Sequence, residues 1–159
     1  MTTLLLSFLV LFNLACNNQE VSDIEDENNE GFAVVENVTV SGEEGNYTFS
    51  VALKSPDKGC GQYANWWEVI SEDGKTLIYR RILGHSHVGE QPFTRSGGAV
   101  SIDATQEVII RGHMYPTGYG DGKIAMKGSV TNGFQLFEIL IGFAADLENI
   151  APQPSGCAF

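Results

Sequence analysis

From Phe32 onward the chain is a succession of short segments in which apolar and polar residues alternate, and this period of two limits what it can fold into. Residues two apart share a face in an extended chain, so each such segment reads as a half-buried strand. Phe32–Val40 and Asn46–Lys54 are joined by Ser41-Gly42-Glu43-Glu44-Gly45, which predicts a hairpin. Asn65–Ser71 and Lys75–Leu83 flank Glu72-Asp73-Gly74, whose Asp-Gly pair suits a tight turn. Ala99–Ile102, Glu107–Met114 and Lys123–Val130 complete a predicted set of seven strands. Seven short strands with turn signals between them predict an all-β, immunoglobulin-like antiparallel sandwich. Strands do not alternate with helices, which argues against a nucleotide-binding α/β domain. Phe134–Ala145 reads equally as a strand or a short apolar helix.

The sandwich is expected to span 32–159, because what precedes it has a different character. Met1–Ala15 is an apolar run of signal-peptide length, shorter than the roughly 20 residues a membrane-spanning helix needs. Cys16 follows directly, as in a lipoprotein signal, where the cysteine sulfur takes the lipid. Asn13 stands where such signals favour leucine, and no Lys or Arg precedes the apolar run. An ordinary secretory peptide would leave Cys16 a free thiol. The expectation is a protein of the bacterial cell envelope, lipid-anchored at Cys16 and facing the periplasm or the cell surface. Residues 16–31 then form an acidic flexible tether. Residues 1–53 hold nine acidic side chains and no Lys or Arg, whereas the remainder is nearly balanced. With no basic stripe to neutralise phosphates, nucleic acid is not an expected partner.

If Cys16 carries lipid, Cys60 and Cys157 remain as a pair in an oxidising compartment, and a disulfide between them would pin the C-terminal tail. A buried or metal-binding thiol is the other reading of Cys60.

The middle of the chain carries a distinctive series: Cys60-Gly61-Gln62-Tyr63-Ala64-Asn65-Trp66-Trp67-Glu68-Val69, then His85-Ser86-His87-Val88-Gly89-Glu90-Gln91-Pro92-Phe93-Thr94-Arg95-Ser96, then Arg111-Gly112-His113-Met114 and Gly118-Tyr119-Gly120. The series resembles a family of small exported bacterial β-sandwich proteins of uncharacterised function. The likeness spans roughly 60–122. The family tends to have His at position 62, Asp at 65 and 114, and His at 117, where this chain has Gln62, Asn65, Met114 and Thr117. The resemblance implies fold and compartment rather than a reaction.

All three histidines fall in this series. His85 and His87 would share a face, and His113 could join them as a third imidazole for copper or zinc. Alternatively, the histidines hydrogen-bond within a polar loop cluster with Glu90, Gln91, Arg95 and Arg111. The expected functional surface is non-catalytic and gathers loops 84–96 and 111–120. It would bind an unidentified envelope ligand or partner through His85, His87, Glu90, Arg95, Arg111 and His113, with Tyr63 and Tyr119 nearby. A third reading makes Tyr63, Trp67 and Tyr119 an aromatic platform for polysaccharide. No nucleophile-elbow motif supports an enzyme.

Overall fold

Eight strands succeed one another along residues 31–158, the part of the chain that the computed structural model describes. They are β1 (Val34–Glu43), β2 (Asn46–Lys54), β3 (Tyr63–Ser71), β4 (Leu77–Ile82), β5 (Phe93–Val100), β6 (Val108–Tyr115), β7 (Gly122–Ser129) and β8 (Gly133–Ile139). The expected signal, Cys16 and the tether up to residue 30 lie outside the described residues. One sheet has the order β1-β2-β5 and the other β4-β3-β6-β7-β8, with every pairing antiparallel. In a constant-type immunoglobulin sandwich, strands A, B, E and D form one sheet and C, F and G the other. Here β1, β2 and β5 take the A, B and E places, and β3, β6 and β7 those of C, F and G. β4 pairs with β3 instead of joining the first sheet, and β8 widens the second sheet by one hairpin. The expected immunoglobulin-like sandwich is therefore present, with eight strands.

Two elements depart from the expected boundaries for a common reason. β5 runs from Phe93 to Val100 rather than over Ala99–Ile102. It is an edge strand that buries only its end residues Phe93 and Val100, so its polar middle carries no apolar alternation. β8 is also an edge strand, and it settles the ambiguity of 134–145 in favour of a strand followed by a 3-10 turn, Ala145–Asn149. The β3–β4 connection forms at the expected Asp-Gly. Gly74 has φ +70°, and a Cβ there would lie 2.8 Å from Phe143 Cζ, so both backbone and space demand glycine.

Tyr47, Phe49, Val51 and Leu53 of β2 project alternately between the sheets and meet Ala64, Trp67 and Val69 of β3 and Val108, Ile110 and Met114 of β6. Each fully buried large apolar side chain contributes roughly 1.5–3 kcal/mol. The central strands β3 and β6 are buried on their other face too. There a second apolar cluster forms from Ile70, Ile109, Ala125, Ile139 and Leu147, with Phe143 packed against it. The cover is the irregular C-terminal strap, residues 140–158. Cys60 and Cys157 are joined by a disulfide, the first of the two readings of Cys60, which fixes the end of the strap to the loop before β3. Beyond it, Ala158 N donates to Gly84 O at 2.7 Å.

Candidate functional site

Strands buried on both faces ordinarily carry unbroken apolar runs. β3 and β6 instead carry Trp66, Glu68, Arg111 and His113 on the strap side, all buried. The register sets Glu68 opposite both Arg80 of β4 and Arg111 of β6. The Glu68 carboxylate accepts from Arg80 Nε and Arg111 Nε, each at 2.8 Å, and from the Tyr119 hydroxyl at 2.7 Å. The remaining guanidinium donors turn outward to the strap. Arg111 donates to the carbonyls of Phe143 and Ala144 at 2.8 and 2.9 Å, and Arg80 to that of Leu147 at 2.7 Å. Arg80 also reaches Ile150 O. One carboxylate thus orients two arginines that hold an irregular backbone against the sheet. The Arg111 guanidinium lies 3.5 Å from the Tyr119 ring centroid and that of Arg80 4.4 Å from Trp66. Burial and the neighbouring Glu68 charge push the Tyr119 hydroxyl well above its ordinary range, so it stays a protonated donor.

Beside this cluster His113 stacks on Trp66, with ring centroids 3.6 Å apart and planes at 11°. Its Nδ1 lies 2.6 Å from Asn65 Oδ1 and its Nε2 3.2 Å from Glu148 Oε1. Burial drives His113 down to about 3, against the pull of Glu68, so the ring is neutral near pH 7. A neutral ring cannot donate from both nitrogens. The satisfied arrangement places the proton on Nε2, donating to Glu148, with the Asn65 amide turned so that its NH2 donates to Nδ1.

These residues floor a cleft of about 550 Å3. Tyr63, Asn65, Trp66, His113 and Tyr115 form its sheet side, while the strap supplies Glu148, Asn149, Gln153 and the disulfide. Its size and its mixture of aromatic walls and a few convergent polar groups fit a small-molecule site.

The HSH and EQPF segments build something different. His87 is buried and stacks on Phe93 with ring centroids 3.7 Å apart. Asp57 accepts from the backbone N–H groups of His87 and Ala64, at 2.7 and 2.9 Å, and from the Ser55 hydroxyl. Gln91 accepts from Ser55 N at 2.8 Å and donates to His87 O at 3.2 Å. These bonds lock the loop before β3 to the loop before β5. Neither ring nitrogen of His87 has a hydrogen-bond partner among the described residues, and Nδ1 stands 3.8 Å from Asp57 Oδ2. Burial first, then Arg95 and His85, lower its proton affinity. Exposed His85 lies beside it, and Glu90 pairs with Arg95 at 2.9 Å on the surface.

The expected site residues therefore divide. His85, His87, Glu90 and Arg95 belong to the locked loop, whereas Tyr63, Arg111, His113 and Tyr119 belong to the strap-covered face. The three histidines do not converge, since His113 is held by Asn65 and Glu148. Among the described residues no group of three or more His, Cys, Asp or Glu side chains is placed to hold a metal. The expected cluster of all three histidines with Arg111 does not form either, because Arg111 is taken by Glu68 and the strap. Trp67 is fully buried between the sheets and Tyr63 is nearly so, which removes the flat aromatic platform expected of Tyr63, Trp67 and Tyr119. Asp57 and Glu148 were not singled out from the sequence, and Asn65 and Trp66 were noted there without being assigned to the site. A polar residue amid the apolar β3 run was the available signal for Asn65, and Glu148 had none.

The chain is 42% identical over 72 residues to a protein of Halomicrobium mukohataei described as "Putative lipoprotein". The match covers 45% of this chain, and the chain spans about a third (35%) of that relative's length. No family model matches the chain, and no solved structure matches it. Among the described residues no helix is long and apolar enough to cross a membrane.

Proposed function

We propose that the protein is an envelope lipoprotein, anchored through Cys16, whose sandwich is a non-catalytic binding module for a small polar ligand. The ligand occupies the cleft beneath the strap. The observation that carries this reading is the cleft itself: about 550 Å3, bordered by Trp66, Tyr63 and Tyr115 and by the Asn65–His113–Glu148 line. The partial likeness to a protein described as a lipoprotein supports the anchor. The acidic tether would carry the sandwich clear of an anionic surface.

Two measurements test the two halves. Mass spectrometry of protein taken from membranes should find lipid on Cys16, and an unmodified mature N-terminus overturns the anchor. Trp66 borders the cleft, so a bound small molecule should change its fluorescence, and Tyr115→Ala and Gln153→Ala should weaken binding. Ligands whose affinity is indifferent to both substitutions would place the binding surface elsewhere.

A further inference from the structure

Glu148 lines two clefts at once: the one beneath the strap, and a neighbouring one of about 210 Å3 between Thr117–Gly120 and Phe143. Among the described residues no Lys or Arg lines either. Among the described residues Glu148 is the one carboxylate that lines them, and His113 is neutral near pH 7. Its carboxylate is available, because Oε1 meets His113 while Oε2 points toward Gly118, and 44% of the side chain is exposed. The arginines beneath do not reach the cleft as free charges. Their side chains are 0% and 1% exposed and their donors are taken by Glu68 and the strap carbonyls.

The aromatic walls have the matching polarity. The exposed Tyr115 ring is the accessible one, and the largely buried Tyr63 ring, 6.0 Å from it at 54°, closes a corner of the same cleft. Aromatic faces are electron-rich and attract cations, most strongly where water is partly excluded. Asn149 and Gln153 add neutral groups that can accept hydrogen bonds. An anion would find no charge to pair with here. A divalent metal would find one carboxylate where hard cations take several oxygens.

We propose that the cleft takes an organic ammonium cation, its charged head received by the Glu148 carboxylate and the Tyr63–Tyr115 corner. The proposal rests on the cleft being the binding site argued above. The probes are choline, its uncharged isostere 3,3-dimethyl-1-butanol, and butyrate, each titrated into the full-length protein by calorimetry. The His113 ring resonances and Trp66 fluorescence report occupancy. Choline should bind about tenfold more tightly than the neutral isostere, and butyrate more weakly still. Glu148→Gln should erase that preference without changing affinity for the neutral isostere. Tyr115→Leu, which keeps apolar bulk and removes the ring, should weaken choline selectively and decides the matter if Glu148→Gln does not fold. Equal affinity for choline and its isostere overturns the ammonium assignment and leaves the cleft as a binding site. If none of the three probes perturbs His113 or Trp66, both readings fall.

Discussion

Glu68→Gln tests the buried ion cluster most directly. The wild-type carboxylate is wholly buried and accepts from both arginines and from Tyr119. The glutamine amide has nearly the same shape, so packing is retained, yet two guanidiniums are left in the interior without their anion. Its NH2 also replaces an acceptor with a donor that faces an arginine or the tyrosine hydroxyl. Removing one partner of a buried ion pair costs about 3–5 kcal/mol, whereas solvent screens exposed pairs such as Glu90–Arg95 to a small contribution. For a domain of this size that loss corresponds to a fall in Tm of roughly 10–20 °C. Urea denaturation followed by circular dichroism measures it, with Glu90→Gln as the surface control. A double-mutant cycle of Glu68→Gln with Arg111→Met should return a coupling of about 1.5 kcal/mol or more. Glu68→Gln within about 1 kcal/mol of wild type would refute the reasoning, because the guanidiniums would then be satisfied by the strap carbonyls alone.

Other expectations follow from the same structure. Because the His113 pKa falls from its ordinary 6.5 to about 3, the unfolded state takes up the proton first. Stability is therefore full above pH 6.5 and is lost as the pH falls toward 3, by about 2 kcal/mol at pH 5; the solvent-screened Glu148 carboxylate opposes this, and a flat urea midpoint between pH 7 and 5 would show that it prevails. Reducing the Cys60–Cys157 disulfide, which spans a sequence separation of 97, should cost about 2–5 kcal/mol. Hydrogen exchange should then rise first at residues 153–158, while the arginine-held 143–150 stay protected. His87→Phe keeps the stack on Phe93 and removes two buried nitrogens without partners, so stability should hold or rise by about 1 kcal/mol. A comparable loss in a urea titration would mean that those nitrogens have a structural partner.

The inward faces were legible because β1 and β2 face the five-stranded sheet and water in turn, which writes burial as alternation. Strands covered on both faces lose that signal. Tyr63-Ala64-Asn65-Trp66-Trp67-Glu68 identifies a strand but does not say which polar side chains will be buried, since that depends on a strap some eighty residues away. Edge strands lose it for the opposite reason: β5 buries little, so Thr94-Arg95-Ser96 reads as loop. The EQPF run is constrained by many bonds. Gln91 must reach Ser55 and His87 while Phe93 receives a ring, and such demands fix residue types as firmly as chemistry does.

The strap's construction gives the cleft its character. One wall is β-sheet, rigid through ladder bonds and two apolar layers. The other is backbone without strand pairing along 140–157, secured by two arginines, a 3-10 turn and a disulfide. Glu148, the one lining carboxylate among the described residues, stands on the less regular wall, and its neighbours Leu147 and Ile150 are where Arg80 grips. In the proposed binding mode, ligand charge recognition and strap attachment share a few residues of chain. A ligand that contacts Glu148 and the sheet together would require the strap to be in place, and by mass action it would stabilise the strap's attachment. The buried Glu68 cluster is what allows this with little rearrangement, because it orders the strap before any ligand arrives and so reduces the entropy lost on binding.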